Sequence, residues 1–214
     1  MKWIASLKMG QKVMAGFLIM ITITALIGLM GIQNLRAIAK KDAELYQLNL
    51  LPIAEIGQAD TAFTETQSLV RDIILNDRDP ARIKELKANI EKADGLFDKT
   101  YKELENDMET KEMKELYATL GKQNEEYQPL QDRVIELVEA HQVDKAVAFM
   151  ESDETKAAEA VSESIDTLSG LLGEDAKLMS DQNTATANTS VKTTLILLGG
   201  AILLSALILI VIMR

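Results

Sequence analysis

The sequence is poor in several residue types, and each shortage excludes a class of protein. It has no cysteine and one histidine, His141, which excludes disulfide frameworks, iron–sulfur clusters, thiolate zinc sites and multi-histidine metal centres. Three prolines, 11 glycines and 4% aromatic residues in 214 disfavour turn-rich β sandwiches and propellers. The composition therefore favours an all-α protein with no cofactor and no bound metal.

Positive charge is also scarce, since 33 acidic residues stand against 23 basic ones and the net charge is −10. Nucleic-acid binding is disfavoured because phosphate neutralisation requires clustered Lys and Arg. No Ser-His-Asp set, paired-carboxylate cleft or Gly-rich phosphate loop occurs at meaningful spacing. We expect a protein that is not an enzyme and has no nucleic-acid partner.

Two long runs of residues carry no charge at all. They cover 13–32 and 193–213, and at 1.5 Å per residue each helix would extend roughly 30 Å, the thickness of a bilayer core. A cleaved signal peptide is the alternative for the first run, but its apolar region is usually shorter and ends at a small-x-small site. We therefore predict two transmembrane helices in contact with the lipid bilayer.

The basic residues that flank these runs predict the orientation. Lys2, Lys8 and Lys12 precede the first run and Arg214 follows the second, which places segment 1–12 and residue 214 in the cytoplasm. The residues between the spans, 33–192, carry all 33 acidic residues and a net charge of −14. They are predicted to form an extracytoplasmic domain anchored twice in the cell (inner) membrane.

Residues 33–192 contain four stretches in which apolar residues recur every three or four positions, the pattern of helices that pack on one another. Asp79 and Pro80 are predicted to start the second helix, Ser152 or Asp153 to cap the last, and Pro129 to kink the third. His141 continues the third stripe, and we expect a capping or a core histidine. The predicted stripes are Ile56, Ala59, Phe63, Thr66, Val70 and Ile73; Ile83, Leu86, Ile90, Ala93, Phe97, Tyr101, Leu104 and Met108; Met113, Leu116, Leu120, Tyr127, Leu130, Val134 and Leu137; and Ala158, Val161, Ile165, Leu168, Leu172, Ala176 and Met179.

Four such helices with short links predict an antiparallel up-down four-helix bundle continuous with the two transmembrane helices. The arrangement resembles the sensor of methyl-accepting chemotaxis proteins. The resemblance is carried by the Lys-rich start, the Leu51-Pro52 pair about twenty residues after the first span, the segment AFTETQSLVRDIIL at 62–75, and the Val-Asp-Lys-Ala step at 143–146 before the last helix.

The resemblance implies a homodimeric receptor that binds a small extracellular ligand and signals through a HAMP domain to a chemotaxis kinase and its coupling protein. Those cytoplasmic parts do not follow Arg214, so we expect either a receptor fragment or a stand-alone relative. Input domains of membrane histidine kinases and of cyclic-dinucleotide enzymes look similar. A membrane-anchored coiled-coil scaffold without a small ligand is a further alternative.

The resemblance also implies where a ligand, such as an organic acid or an amino acid, would bind. In receptors of this kind, arginines near the distal end of the first helix hold ligand carboxylates across the dimer interface, helped by the start of the last helix. Arg71 and Arg78 occupy that region here, with Thr66 and Gln67 one turn below and Thr155 on the last helix. The alternatives are an Arg71 paired with a nearby aspartate, such as Asp72, Asp77 or Asp79, and a Thr66 that fills the core.

Overall fold

The computed structural model describes residues 8–213, which form four long helices and, within that range, no strand. Helix α1 is Met9–Leu75, α2 is Pro80–Glu103, α3 is Lys111–Glu139, and α4 begins at Val143 and ends at Met213. A π-helical turn interrupts α1 at Tyr46–Leu50 and α4 at Met150–Glu154, and a 3-10 turn, Leu104–Asp107, follows α2. The predicted all-α class is confirmed.

The chain divides into two packing units. Leu45–Lys177 is one compact unit and holds the bundle, and the described residues before and after it form the other. The predicted domain limits, with the sensor at 33–192 and the spans at 13–32 and 193–213, depend on a membrane and remain predictions. Within the bundle, α2 and α3 connect the bundle parts of α1 and α4 by short turns, as an up-down topology requires.

Apolar stripes on all four helices form the core of the bundle, as predicted. They make two clusters, one that includes Phe63, Phe97, Tyr127 and Ile165, and a second that includes Val70, Leu86 and Val134. Each helix of the bundle has only one apolar stripe, so burying all four stripes requires all four helices to pack together. The predicted stripe of α3 is wrong at one position, because Gln131 is buried where Leu130 was expected and Leu130 is half-buried.

Local side chains determine where α2 and α3 begin. The carboxylate of Asp79 accepts hydrogen bonds from the amides of Ala81 and Arg82 at 3.1 and 3.0 Å, and Pro80 occupies the first turn of α2. Thr110 caps α3 by accepting a hydrogen bond from the Met113 amide. The predicted cap and proline at the start of α2 are confirmed.

A left-handed residue ends α3. His141 has φ 58°, its amide donates to the Val138 carbonyl at 2.9 Å, and the Gln142 amide donates to the Leu137 carbonyl at 2.8 Å. This pair of hydrogen bonds is a Schellman motif, which supplies donors to carbonyls that have no hydrogen-bond partner within the helix. The side chain of His141 is exposed, so the capping role is confirmed and the expected core position is wrong.

The predicted cap of the last helix is also wrong. Ser152 and Asp153 lie inside the π-helical turn of α4, and the Ser152 hydroxyl donates to the Ala148 carbonyl at 2.8 Å. The helix has already begun at Val143, so its backbone needs no new cap ten residues later. Val143–Phe149 is therefore the first part of the last helix, ahead of the π-helical turn.

The second unit consists of the two apolar helix segments, whose large side chains are mostly exposed. Lys41 Nζ donates to Thr186 Oγ1 at 3.1 Å and links one segment to the other. The helices Met9–Leu75 and Val143–Ile210 are long and apolar enough to cross a membrane, by length and composition. Exposed leucine and isoleucine side chains of this kind suit a lipid environment.

Candidate functional site

A groove between α1 and α4 contains three of the five predicted ligand residues. Gln67, Arg71 and Thr155 line this groove, whose volume is about 490 Å³. Gln67 and Arg71 each follow a buried stripe residue of α1 and lie one helical turn apart, so both side chains reach the edge of the bundle. Thr155 is the first residue after the π-helical turn of α4. We call this surface the α1–α4 groove.

Acidic residues line the α4 side of the groove. Glu159, Glu163 and Asp166 lie there with the neutral hydroxyls of Ser162 and Thr167. Arg71 is the single basic residue in the lining, so one positive charge faces three negative ones. A ligand in this groove would meet a cation and anions within a short distance.

The guanidinium of Arg71 is exposed and free to contact a ligand. Within residues 8–213, no carboxylate lies within 4.0 Å of it, so the alternative of an arginine paired with Asp72, Asp77 or Asp79 is not what the structure shows. A guanidinium binds a carboxylate with two parallel hydrogen bonds, and its charge is permanent. Arg71 therefore has the chemistry to hold an anionic group.

A buried carboxylate lies behind Arg71. Glu154 is 3% exposed and accepts a hydrogen bond at 2.8 Å from the hydroxyl of Tyr127 on α3. Burial raises the pKa of Glu154, while the Tyr127 hydrogen bond and the positive charge of Arg71 act in the opposite direction. Burial and the neighbouring Glu154 charge also raise the pKa of Tyr127. The charge of Arg71 thus supports an anion inside the bundle.

Glu154 is the buried carboxylate next to the groove that the sequence reasoning missed. It is the last residue of the π-helical turn Met150–Glu154 and immediately precedes Thr155. A signal was present, because Glu154 extends the stripe of Ala158 and Val161 by one further step of four residues. A glutamate on an apolar stripe indicates a buried carboxylate with a specific partner, since an unpaired one is costly.

The fourth predicted residue, Thr66, lies in the interior and does not line the groove. Its hydroxyl donates to Asp94 Oδ1 on α2 at 2.8 Å, and Gln131 Nε2 on α3 donates to Asp94 Oδ2 at 3.2 Å. Burial raises the pKa of Asp94. Tyr127 and Glu154 are a second hydrogen-bonded polar pair inside the bundle, and we call these two residues together with Thr66, Asp94 and Gln131 the polar layer.

The fifth predicted residue, Arg78, lies in the turn between α1 and α2. Its side chain is 96% exposed, and its Nε is 3.9 Å from Asp77 Oδ2. It does not line the α1–α4 groove. The two arginines that the sequence treated alike thus differ in the structure, and Arg78 serves as the natural control for Arg71.

A metal-based function has no support in the part of the chain that the structure describes. No group of three or more His, Asp or Glu residues there has the geometry to hold a metal ion.

Comparison with known proteins identifies the family. Residues 6–187 match the family described as a four helix bundle sensory module for signal transduction. The chain belongs to this family of chemotaxis-receptor sensors. No curated protein and no solved structure matches the sequence. A sensory module of this kind is a signal-transduction domain of membrane receptors and not a catalytic domain, in agreement with the two apolar helices of the chain.

Proposed function

We propose that this sensory module binds a small extracellular ligand in the α1–α4 groove and that Arg71 holds the ligand carboxylate. The observation that carries the proposal is the convergence of Gln67, Arg71 and Thr155 on one groove. Arg71 supplies the charge, and Gln67 and Thr155 supply neutral hydrogen-bonding groups from the two helices. A ligand held in this way contacts α1 and α4 at once.

The charges of the groove favour an amino acid over a dicarboxylic acid. A second carboxylate would meet Glu159, Glu163 or Asp166, whereas a ligand ammonium group would be attracted to them. An α-amino acid carries both charges on one carbon and fits a cation that faces anions. We therefore expect amino acids to bind, and dicarboxylates of equal length to bind more weakly.

Ligand binding would reach α4 through Glu154. A carboxylate at Arg71 attracts the guanidinium that otherwise supports the buried charge of Glu154. Glu154 belongs to a π-helical turn, an irregularity that is often found at functional sites. In this proposal α4 has two positions relative to α1, and a ligand shifts the equilibrium between them because it binds one position more tightly than the other. In this proposal the shift moves α4 relative to α1 and is passed through the membrane to a cytoplasmic HAMP and signalling region, the chemotaxis kinase and its coupling protein.

A homodimer is part of the proposal, and the outer surface of α1 supports it. Six exposed, uncharged residues recur there at alternating steps of four and three, the spacing of a coiled-coil seam. They are Leu50, Ala54, Gly57, Thr61, Thr64 and Ser68. An uncharged seam is unusual in a domain with a net charge of −14. We call it the α1 outer stripe and propose that it pairs with the same stripe of a second copy.

The test is a ligand screen on the full chain in detergent micelles or nanodiscs. The natural amino acids and the matching dicarboxylates are tested by thermal shift, and each hit is measured by calorimetry. We expect Arg71→Ala to weaken the affinity of a hit at least tenfold, about 1.4 kcal/mol, and Arg78→Ala to leave it unchanged. A hit whose affinity survives Arg71→Ala contradicts the proposed site, and a screen without any hit favours the scaffold alternative.

A further inference from the structure

A second groove lies between α2 and α3, near the end of α2, and plays no part in the function proposed above. Its volume is about 480 Å³, and small-molecule sites occupy roughly 300–1,000 Å³. Phe97 and Tyr101 of α2 and Asn124 and Gln128 of α3 contribute to its lining. The groove is therefore large enough for a small organic molecule, and we call this surface the α2–α3 groove.

An amide on the buried stripe of α3 lacks a partner inside the protein. Asn124, Tyr127 and Gln131 are the buried residues of this stripe that can form hydrogen bonds. Tyr127 and Gln131 each donate a hydrogen bond to a carboxylate on another helix, whereas the Asn124 amide forms no hydrogen bond within residues 8–213. Asn124 is only 9% exposed, yet both amide atoms keep some exposed surface, and the residue lines the α2–α3 groove. A buried amide without a partner is costly, so Asn124 indicates a hydrogen-bonding partner that enters from the groove.

A second amide lies next to that of Asn124. Gln128 follows by one helical turn, is half-buried and lines the same groove, and in the described part of the chain its side chain also forms no hydrogen bond. Each amide offers N–H donors and a carbonyl acceptor, and the two residues are roughly 6 Å apart along the helix axis. A hydroxyl group both donates and accepts, so neighbouring hydroxyls of one ligand would satisfy both amides.

The charged residues at the edge of the groove balance one another. Helix α2 contributes Asp98 and Lys102, and α3 contributes Lys122 and Glu125, so the lining has two positive and two negative charges. An ionic ligand would lose hydration and gain no net attraction in return. Within residues 8–213, Asp98, Lys102 and Glu125 form no ion pair, so their side chains are free to form hydrogen bonds with hydroxyl groups. The α2–α3 groove therefore favours a neutral polar ligand over an ion of either sign.

Aromatic side chains give the groove a rigid apolar wall. The rings of Phe97 and Tyr101 are nearly parallel, at an angle of 6°, with centroids 6.1 Å apart. The Tyr101 hydroxyl donates to the Tyr117 carbonyl at 3.0 Å, which fixes the ring in place. A flat face of C–H groups would pack against this wall, while hydroxyls on the same molecule reach the amides. A compound with both a C–H face and several hydroxyl groups fits the lining.

We propose that the α2–α3 groove is a second binding site and that it takes a neutral polyhydroxy compound, a sugar or a sugar alcohol. Asn124 and Gln128 form hydrogen bonds with adjacent hydroxyls of the ligand. The charged residues at the edge hold the outer hydroxyls, and Phe97 and Tyr101 contact the C–H face. The site requires neither Arg71 nor the α1–α4 groove, so it is independent of the amino-acid site proposed above.

The unpaired amide leads to a prediction that does not depend on the ligand. Asn124→Leu keeps nearly the same side-chain shape and removes the amide, so the free chain should melt at a temperature roughly 2 °C or more above that of the unmodified chain. A residue kept for binding at a cost in stability behaves in this way. A melting temperature that falls would mean that the amide supports the fold, and this result would overturn the proposal.

Calorimetry on the full chain tests binding, in a detergent without a sugar headgroup so that the micelle does not compete. The probes are D-glucose, D-galactose, D-mannose and sorbitol, and for any hit the carboxylate and the amine of the same carbon skeleton. We expect at least one probe to bind saturably and its charged analogues to bind at least fivefold more weakly. Asn124→Leu and Gln128→Leu should each weaken the affinity of the hit at least tenfold.

Matched variants separate this site from the rest of the bundle. Gln58→Leu removes an exposed amide from α1, and Arg71→Ala removes the residue proposed to hold the ligand carboxylate in the α1–α4 groove. Both should leave the affinity of the hit unchanged, and circular dichroism verifies that each variant is folded. The proposal is overturned if no probe binds saturably, if Asn124→Leu binds the hit normally, if the charged analogues bind as tightly as the hit, or if Arg71→Ala abolishes the binding.

Discussion

At the scale of single residues, a pair of tyrosines joins α2 to α3. The Tyr101 hydroxyl donates to the Tyr117 carbonyl at 3.0 Å, and the Tyr117 hydroxyl donates to the Tyr101 carbonyl at 3.1 Å. Their rings stack with centroids 4.2 Å apart, and the ring of Phe97 is nearly parallel to that of Tyr101 with a centroid distance of 6.1 Å. Burial raises the pKa of Tyr101, so its hydroxyl remains a donor.

Gly121 is required by this tyrosine pair. A Cβ at Gly121 would overlap the hydroxyl of Tyr101, which stacking and a hydrogen bond hold in place. We expect Gly121→Ala to lower the free energy of unfolding by about 1–3 kcal/mol in urea denaturation. Gly170→Ala is the control, because a Cβ there meets nothing within 4 Å, and it should stabilise the helix by about 0.5–1 kcal/mol. Equal changes in the free energy of unfolding for the two variants would contradict the proposed clash between a Cβ at Gly121 and the Tyr101 hydroxyl.

The polar layer makes stability depend on pH. Burial raises the pKa of Asp94 above 3.8 and that of Glu154 above 4.5, so at mildly acidic pH the folded chain holds more protons than the unfolded chain. The free energy of unfolding should therefore fall as the pH rises from about 4 through the raised pKa values. Asp94→Asn removes one of these groups and should make the fall shallower, as measured by urea denaturation from about pH 4 to 7.

The control for this pH dependence is Asp144→Asn, which removes an exposed carboxylate from the first turn of α4. It should leave the slope of stability against pH close to that of the unmodified chain. A slope that Asp94→Asn does not change would show that Asp94 contributes nothing to it.

At the scale of helices, the π-helical turns are the irregular parts of α1 and α4. Each places a polar residue in the interior. Asn49, at the turn of α1, donates to Asp175 Oδ2 at 2.7 Å, and Glu154, at the turn of α4, accepts from Tyr127. One extra residue in a helical turn changes which side chain faces the core. These hydrogen bonds connect α1 to α4 and α3 to α4 inside the bundle.

The end of α3 is strained at His141. Its φ of 58° is a left-handed conformation that disfavours any side chain, and the exposed imidazole gains no burial in return. We expect His141→Gly to stabilise the bundle by up to about 1 kcal/mol, measured by urea denaturation. His141→Val, which is β-branched, should destabilise it. A glycine that lowers stability here would mean that the imidazole has a structural role.

At the scale of the whole molecule, the proposed homodimer depends on the α1 outer stripe. Gly57→Arg and Thr61→Arg place charged side chains on an uncharged seam, where two copies would bring like charges together. We expect sedimentation of the full chain in detergent to shift from dimer toward monomer by at least tenfold in the dissociation constant. Gly173→Arg, at an exposed position of α4, is the control and should leave the dimer intact. A dimer that survives both stripe variants contradicts this interface.

The prediction of the fold was successful because it depends on local and periodic features. The stripes of α1 and α2, and that of α4 as far as Leu172, fall on the buried face, whereas Ala176 and Met179 are only half-buried, and Asp79 caps α2 as expected. One error occurs where the helical period changes. The π-helical turn at Met150–Glu154 adds a residue to the turn, so a cap expected at Ser152 or Asp153 lies inside a continuous helix. A single sequence does not reveal that turn, because its hydrogen bonds depend on what packs beside it.

The sequence by itself determined the all-α class, the two apolar segments and the four amphipathic helices, because these follow from spacing and charge along the chain. The tertiary structure alone decided how the polar residues pair. It brought Arg71 to the α1–α4 groove and left Arg78 in solvent, turned Thr66 toward Asp94, and buried Glu154 against Tyr127. The reason is physical: a stripe shows which face of a helix is buried, but the partner of a buried polar atom is decided by the neighbouring helix.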